Sequence, residues 1–144
     1  MNANDARFSQ LFVAANNSRV QDDSPNESGG QAGNDYDLLL KAEAGGVIGD
    51  SGAAYKLFIT AYDVTAGTAE PGLNPFAAPN NENFNNVAPG NWQPSGDDFV
   101  KEEKYDIAIP GTVTRGHVFQ YTATLIANNF EIVSIIQSDL FVLV

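Results

Sequence analysis

The chain has 144 residues, 43% hydrophobic and 17% charged, the proportions of one folded domain with a core of its own. With 18 acids against 7 bases the formal charge is −11, a field that repels phosphate backbones and anionic bilayers and so sets aside nucleic-acid binding. Cysteine is absent, which removes disulfides, thiolate catalysis and Cys-ligated zinc or iron–sulfur clusters.

Met1-Asn2-Ala3-Asn4-Asp5 has neither the basic nor the apolar stretch of a secretion signal. No run nears the roughly 18 apolar residues of a membrane span, so a soluble protein is expected. The compartment stays open, since virion, cell surface and cytoplasm all fit. Period-two alternation recurs along the chain while helical periodicity is nearly absent. Arg7 to Ala15 reads as a first strand, with a short helix as its rival. Residues 16–35, rich in Asn, Asp, Ser and Gly, read as a long flexible loop.

Tyr36 to Ala44 alternates Tyr36, Leu38, Leu40 and Ala42 against Asp37, Leu39, Lys41 and Glu43, as a strand lying over a core requires. Gly45-Gly46 and Gly49-Asp50-Ser51-Gly52 supply turns. They lack the lysine of a phosphate-binding loop. Ala54 to Val64 is the strongest strand, with Tyr55, Leu57, Ile59 and Ala61 on one side and Phe58, Thr60, Tyr62 and Val64 on the other. Two such faces suit a central strand, or one that offers a side to a partner. Residues 65–98 hold prolines at 71, 75, 79, 89 and 94 and many asparagines, which predicts a long loop rather than regular sheet. Phe99 to Pro110 returns to strand with Tyr105, Ile107 and Ile109 on one face, and Gly116 to Ala127 follows. Asn128-Asn129 reads as a turn, and Phe130 to Val144 as one long or two short strands.

These elements predict one all-β domain over residues 1–144. The expected form is an immunoglobulin-like or jelly-roll-like antiparallel β-sandwich of about seven strands with one long Pro/Asn-rich loop. The layout resembles immunoglobulin-like bacterial and viral modules in general, without the Cys…Trp…Cys signature of antibody domains. The expected core is Phe12, Leu38, Leu40, Tyr55, Leu57, Ile59, Ile107, Ile109, Phe119, Tyr121, Leu125, Ile135 and Val142.

No catalytic residue is assigned. His117, the single histidine, begins a strand with no G-x-S-x-G elbow elsewhere, which favours a strand-edge role over a triad. Asp35, Asp37, Asp97 and Asp98 are the residues that would hold calcium, the one metal that hard oxygen ligands on sandwich loops suit. No D-x-D-x-D-G loop is present, and an acidic solvated rim is the plainer reading. Phe76, Phe84 and Trp92 in the Pro/Asn-rich loop would form either a platform for a sugar ring or pegs that pin the loop down. Together with Phe58 and Tyr62 they are the candidate ligand or interface residues. The expected role is a non-enzymatic assembly module that oligomerises or docks in a virion, filament or surface layer. Its partners would be proteins, chiefly copies of itself. The alternative is a carbohydrate- or small-ligand-binding module using the Trp92 loop.

Overall fold

The structure, a computed structural model, describes residues 1–128 and 131–144. In chain order its strands are β1 (Ala6–Ala14), β2 (Glu27–Ser28), β3 (Gln31–Ala32), β4 (Asp35–Ala44), β5 (Ala54–Asp63) and β6 (Thr68–Ala69). After a 3-10 turn at Pro71–Leu73 come β7 (Asn80–Asn83), β8 (Gln93–Ser95), β9 (Asp98–Ala108), β10 (Val118–Ala127), β11 (Ile132–Gln137) and β12 (Phe141–Val142). The expected turn at Asn129 and strand start at Phe130 lie outside the described residues.

Two antiparallel sheets pack as a sandwich. Sheet 1 runs β1-β4-β9-β8. Sheet 2 runs β11-β10-β5-β6, with β7 paired to the other end of β5 and β12 to β10. The alternation read from the sequence governs the inner faces. Leu38 and Leu40 of β4, Leu57 and Ile59 of β5, and Tyr121 and Leu125 of β10 are buried in one core. Within it the Tyr36 and Tyr121 hydroxyls meet at 2.7 Å, and Tyr121 also donates to the Leu73 carbonyl at 2.6 Å, which binds the 3-10 turn to the interior. The core thereby satisfies its own phenols, as buried hydroxyls require.

Three expected core residues face outward. Phe12 is half-buried because a bulge between Phe8 and Gln10 inserts one residue into β1. Side chains therefore switch parity: Ala6 and Phe8 point inward before the bulge, Leu11 and Val13 after it. At the bulge the Phe8 N–H donates to Ser134 Oγ of β11, which joins the two sheets along that edge. Ile135 pairs with Thr124 and Val142 with Val118, both on the outer side of β10, so Ile132, Phe141 and Leu143 are the inward residues instead.

Residues 16–35 are not structureless. Ala14 bridges to Gln21, β2 and β3 form a hairpin, and residues 16–19 cross the outer face of sheet 1. There the Asn17 N–H donates to Asp37 at 2.7 Å, Lys104 donates to Asn17 Oδ1, and Arg19 pairs with Glu102. The Asn26 amide also brackets the backbone N–H and C=O of Val144, acting as a one-residue strand partner.

Residues 65–98 likewise hold more sheet than expected. Pro94 fits in β8 because that strand lies at a sheet edge, where a missing N–H goes unnoticed.

Candidate functional site

The Pro/Asn-rich stretch closes the side of the sandwich where β5 and β9 run out of partners. Strand β7 pairs with β5 over Ala54–Leu57, and further along that edge Asn74 Oδ1 accepts the Ala61 N–H at 2.7 Å in place of a strand. Strand β8 pairs with β9 over Asp98–Val100. Beyond that point the inward side of β9 carries Lys101, Glu103 and Tyr105 against the loop.

Lys101 and Glu82 are both buried, with side chains 1% exposed. The Lys101 ammonium donates to the Pro89 and Gly90 carbonyls at 2.8 and 2.6 Å and lies 3.2 Å from both Glu82 and Glu103. Glu82 also accepts the Tyr55 hydroxyl at 2.6 Å, and Tyr55 in turn accepts the Trp92 indole N–H at 3.1 Å. Asn91 donates to Glu103 at 2.8 Å. Burial, then the charge of Glu82, pushes the Tyr55 phenol far above its ordinary range; burial, then Glu82 and Glu103, does the same to Tyr105. Both therefore stay protonated near neutral pH. Gly90 permits the close approach, since a Cβ there would lie 2.2 Å from the Asn83 carbonyl oxygen. Ion pairs taken out of water return little net stability, but removing one partner strands the other at about 3–5 kcal/mol.

This cluster borders a cleft of about 270 Å³ lined by Asn80, Glu82, Ala88, Pro89, Asn91, Glu103 and Tyr105. Sequence reading missed it, although a signal was present. Alternation puts Tyr105, Ile107 and Ile109 on the core side, and the same parity carried back along β9 reaches Glu103 and Lys101. Two charges on a core-facing side point to a buried network.

The aromatic residues of the loop are pegs. Trp92 and Phe84 are fully buried, 5.3 Å apart between ring centroids and packed on Tyr55, so they offer no face to a sugar. Phe76 is half-buried with its ring edge-on to Tyr105. The proposed calcium set is not brought together. Asp37 pairs across from Asp106 and Ala44 from Phe99, so Asp97 and Asp98 lie at the opposite end of the sheet from Asp35 and Asp37, about 25 Å away at the usual strand rise. Among the described residues no group of three or more His, Asp or Glu side chains could hold a metal ion.

His117 does meet a carboxylate, with Nδ1 2.8 Å from Asp63. Burial acts to raise the Asp63 value, but hydrogen bonds from the Ala66 N–H and from His117 hold it below the ordinary aspartate range. Because the same carboxylate caps the turn after β5 through Ala66, the pair ties that turn to the start of β10.

Phe58 and Tyr62 lie on the outer face of sheet 2. The register sets Lys56, Ile126 and Val133 in one row, Phe58, Thr124 and Ile135 in the next, and Thr60, Thr122 and Gln137 in the third. Val133 and Ile135 are each 64% exposed and Tyr62 45%. No carboxylate stands at an outward position of β5, β10 or β11, and Lys56 is the one charge there among the described residues.

No family model and no curated protein sequence matches the chain. A crystal structure of Bacteroides uniformis beta-glucuronidase is similar over 92% of this chain and 14% of that one, at 13% identity and a TM-score of 0.44. Bacteroides uniformis beta-glucuronidase 2 covalently bound to cyclophellitol-6-carboxylate aziridine is similar over the same shares, at 12% identity and 0.43. The chain thus spans about one seventh of the length of these structures.

Proposed function

We propose that the chain is a non-enzymatic assembly module that self-associates through the outer face of sheet 2. The observation that carries this reading is the acid-free face itself, in a chain of net charge −11. Val133, Ile135, Phe58 and Tyr62 give it apolar area, and the central threonines give it hydroxyls with no charge to desolvate. Two copies meeting here hold the outward carboxylates of sheet 1, Asp37 and Glu43 of β4 and Glu102 and Asp106 of β9, on the far sides of both sandwiches. With sheets about 10 Å apart, those charges lie beyond a Debye length of about 8 Å at physiological salt.

Three strands by about nine residues give roughly 14 by 30 Å of contact, so one pair of faces is small beside a standard interface of about 800 Å² per partner. Weak pairwise association, strengthened where many copies are held together, is the expected behaviour.

Light scattering across a dilution series tests the proposal. A mass that rises with concentration, rises further with added salt and falls to that of one chain in Ile135→Lys supports it. A single-chain mass up to millimolar concentration ends it.

A further inference from the structure

We infer that the cleft beside Lys101 binds an organic cation, specifically a primary alkylammonium group. The charges there do not balance: Glu82 and Glu103 are two carboxylates, and Lys101 is the one cation within reach among the described residues. Lys101 is fully engaged, its ammonium directed at two backbone carbonyls and both carboxylates, so it has no proton left for a ligand. The surplus negative charge falls on Glu103, the more open of the two at 22% side-chain exposure. Its Oε1 is taken by Lys101 and Asn91, which leaves Oε2, on a residue that lines the cleft, without a hydrogen-bond partner among the described residues.

Two residues along the same side of β9, Tyr105 also lines the cleft, and its phenol has no hydrogen-bond partner among the described residues. A carboxylate oxygen and an aromatic wall are what an ammonium group seeks, the first for charge-assisted hydrogen bonds and the second for its π face. A neutral polyol would satisfy hydrogen bonds but leave the surplus charge uncompensated. The site is also held rigid in advance. Glu82 and Glu103 are fixed by a buried lysine, so a ligand pays little to order them. The field of a −11 chain draws cations toward it.

The test is a titration of the whole chain with n-butylammonium chloride, followed by the side-chain amide resonances of Asn80 and Asn91 and the indole N–H of Trp92. Sodium chloride at equal ionic strength and methyl glucoside are the controls. Saturable shifts confined to those groups are expected, with affinity down about tenfold in Glu103→Gln and severalfold in Tyr105→Phe. Tyr105→Phe keeps the packing and guards against a Glu103→Gln chain that fails to fold. The Ile135→Lys chain should bind equally well, since its substitution lies on the outer face of the other sheet. Shifts equal to those in sodium chloride, unchanged binding in both variants, or saturation by methyl glucoside alone would overturn the inference. A free diamine and a lysine-containing peptide both carry the group. Tighter binding of either one supports the site and identifies the source.

Discussion

The two outer faces of this sandwich are built from the same kind of alternating strand, yet one is covered and charged and the other bare and nearly neutral. Outward positions on sheet 1 carry Asp37, Lys41 and Glu43 on β4 and Glu102, Lys104 and Asp106 on β9. Residues 16–19 cross this face, where the Asn17 N–H meets Asp37, and both Asp37 and Leu39 are completely buried. One Asp37 oxygen, Oδ1, has no hydrogen-bond partner among the described residues, while Lys104 lies 3.7 Å from the other. Among the described residues, no such strap crosses the outer face of sheet 2. Its valines and isoleucines are left in water, where a lone domain gains nothing from them. A polar face with its own cover is finished within the chain, whereas an apolar face without one is where the proposed self-association would act.

The sharpest way to break this contrast is to shorten one aliphatic side chain on each face. Leu39→Ala should cost about 2–5 kcal/mol in urea unfolding, because Leu39 is fully buried although it lies on the outward side of its strand. Ile135→Ala, measured on a dilute single-chain sample, should stay within about 0.5 kcal/mol. Equal losses at the two sites would mean that both faces are buried in the isolated chain, and the assembly reading would lose its surface. A loss below about 1 kcal/mol at Leu39 would show that residues 16–19 do not cover sheet 1 in solution.

Much of this was legible in the residues, and the failures have local causes. In β4, β5 and β10 simple alternation fixes parity, and Leu38, Leu57 and Tyr121 are where it puts them. In β1 the rule breaks at Ser9, where one inserted residue sends Phe12 outward; nothing in Arg-Phe-Ser-Gln-Leu announces a bulge that depends on a meeting with β11. The C-terminal segment offers apolar residues at both parities, Ile132 and Val133, then Ile135 and Ile136, so its facing is decided by pairing with β10. The asparagines of residues 65–98 read in the sequence only as loop formers. Several instead satisfy the chain itself: Asn74 receives the Ala61 N–H and Asn83 donates to the Gly52 carbonyl. An amide used that way cannot be told from a ligand-binding amide until the open sheet edge beside it is known. The buried Lys101–Glu82 pair joins residues far apart in the chain, and alternation along one strand reports only that Lys101 faces inward.

A smaller effect separates the carboxylates of the two sheets. On sheet 1 the acids lie near Lys104, Arg19 and Arg7, and most are exposed, so screening leaves each pair with little effect. On sheet 2 the inward acid of β5, Asp63, is held by the Ala66 N–H and by His117. Its value lies below the ordinary 3.8, so the native chain binds this proton less readily than the unfolded chain. The stability it contributes is fully present above about pH 4 and is lost as the pH falls through its lowered value. Asp63→Asn keeps the size and one acceptor oxygen but cannot titrate. Its unfolding midpoint should therefore fall less steeply than that of the parent chain below pH 4, while at neutral pH it is modestly less stable. Parallel acid limbs in the two proteins would show that Asp63 titrates alike in both states, and that the link between the β5 turn and His117 contributes no pH-dependent stability.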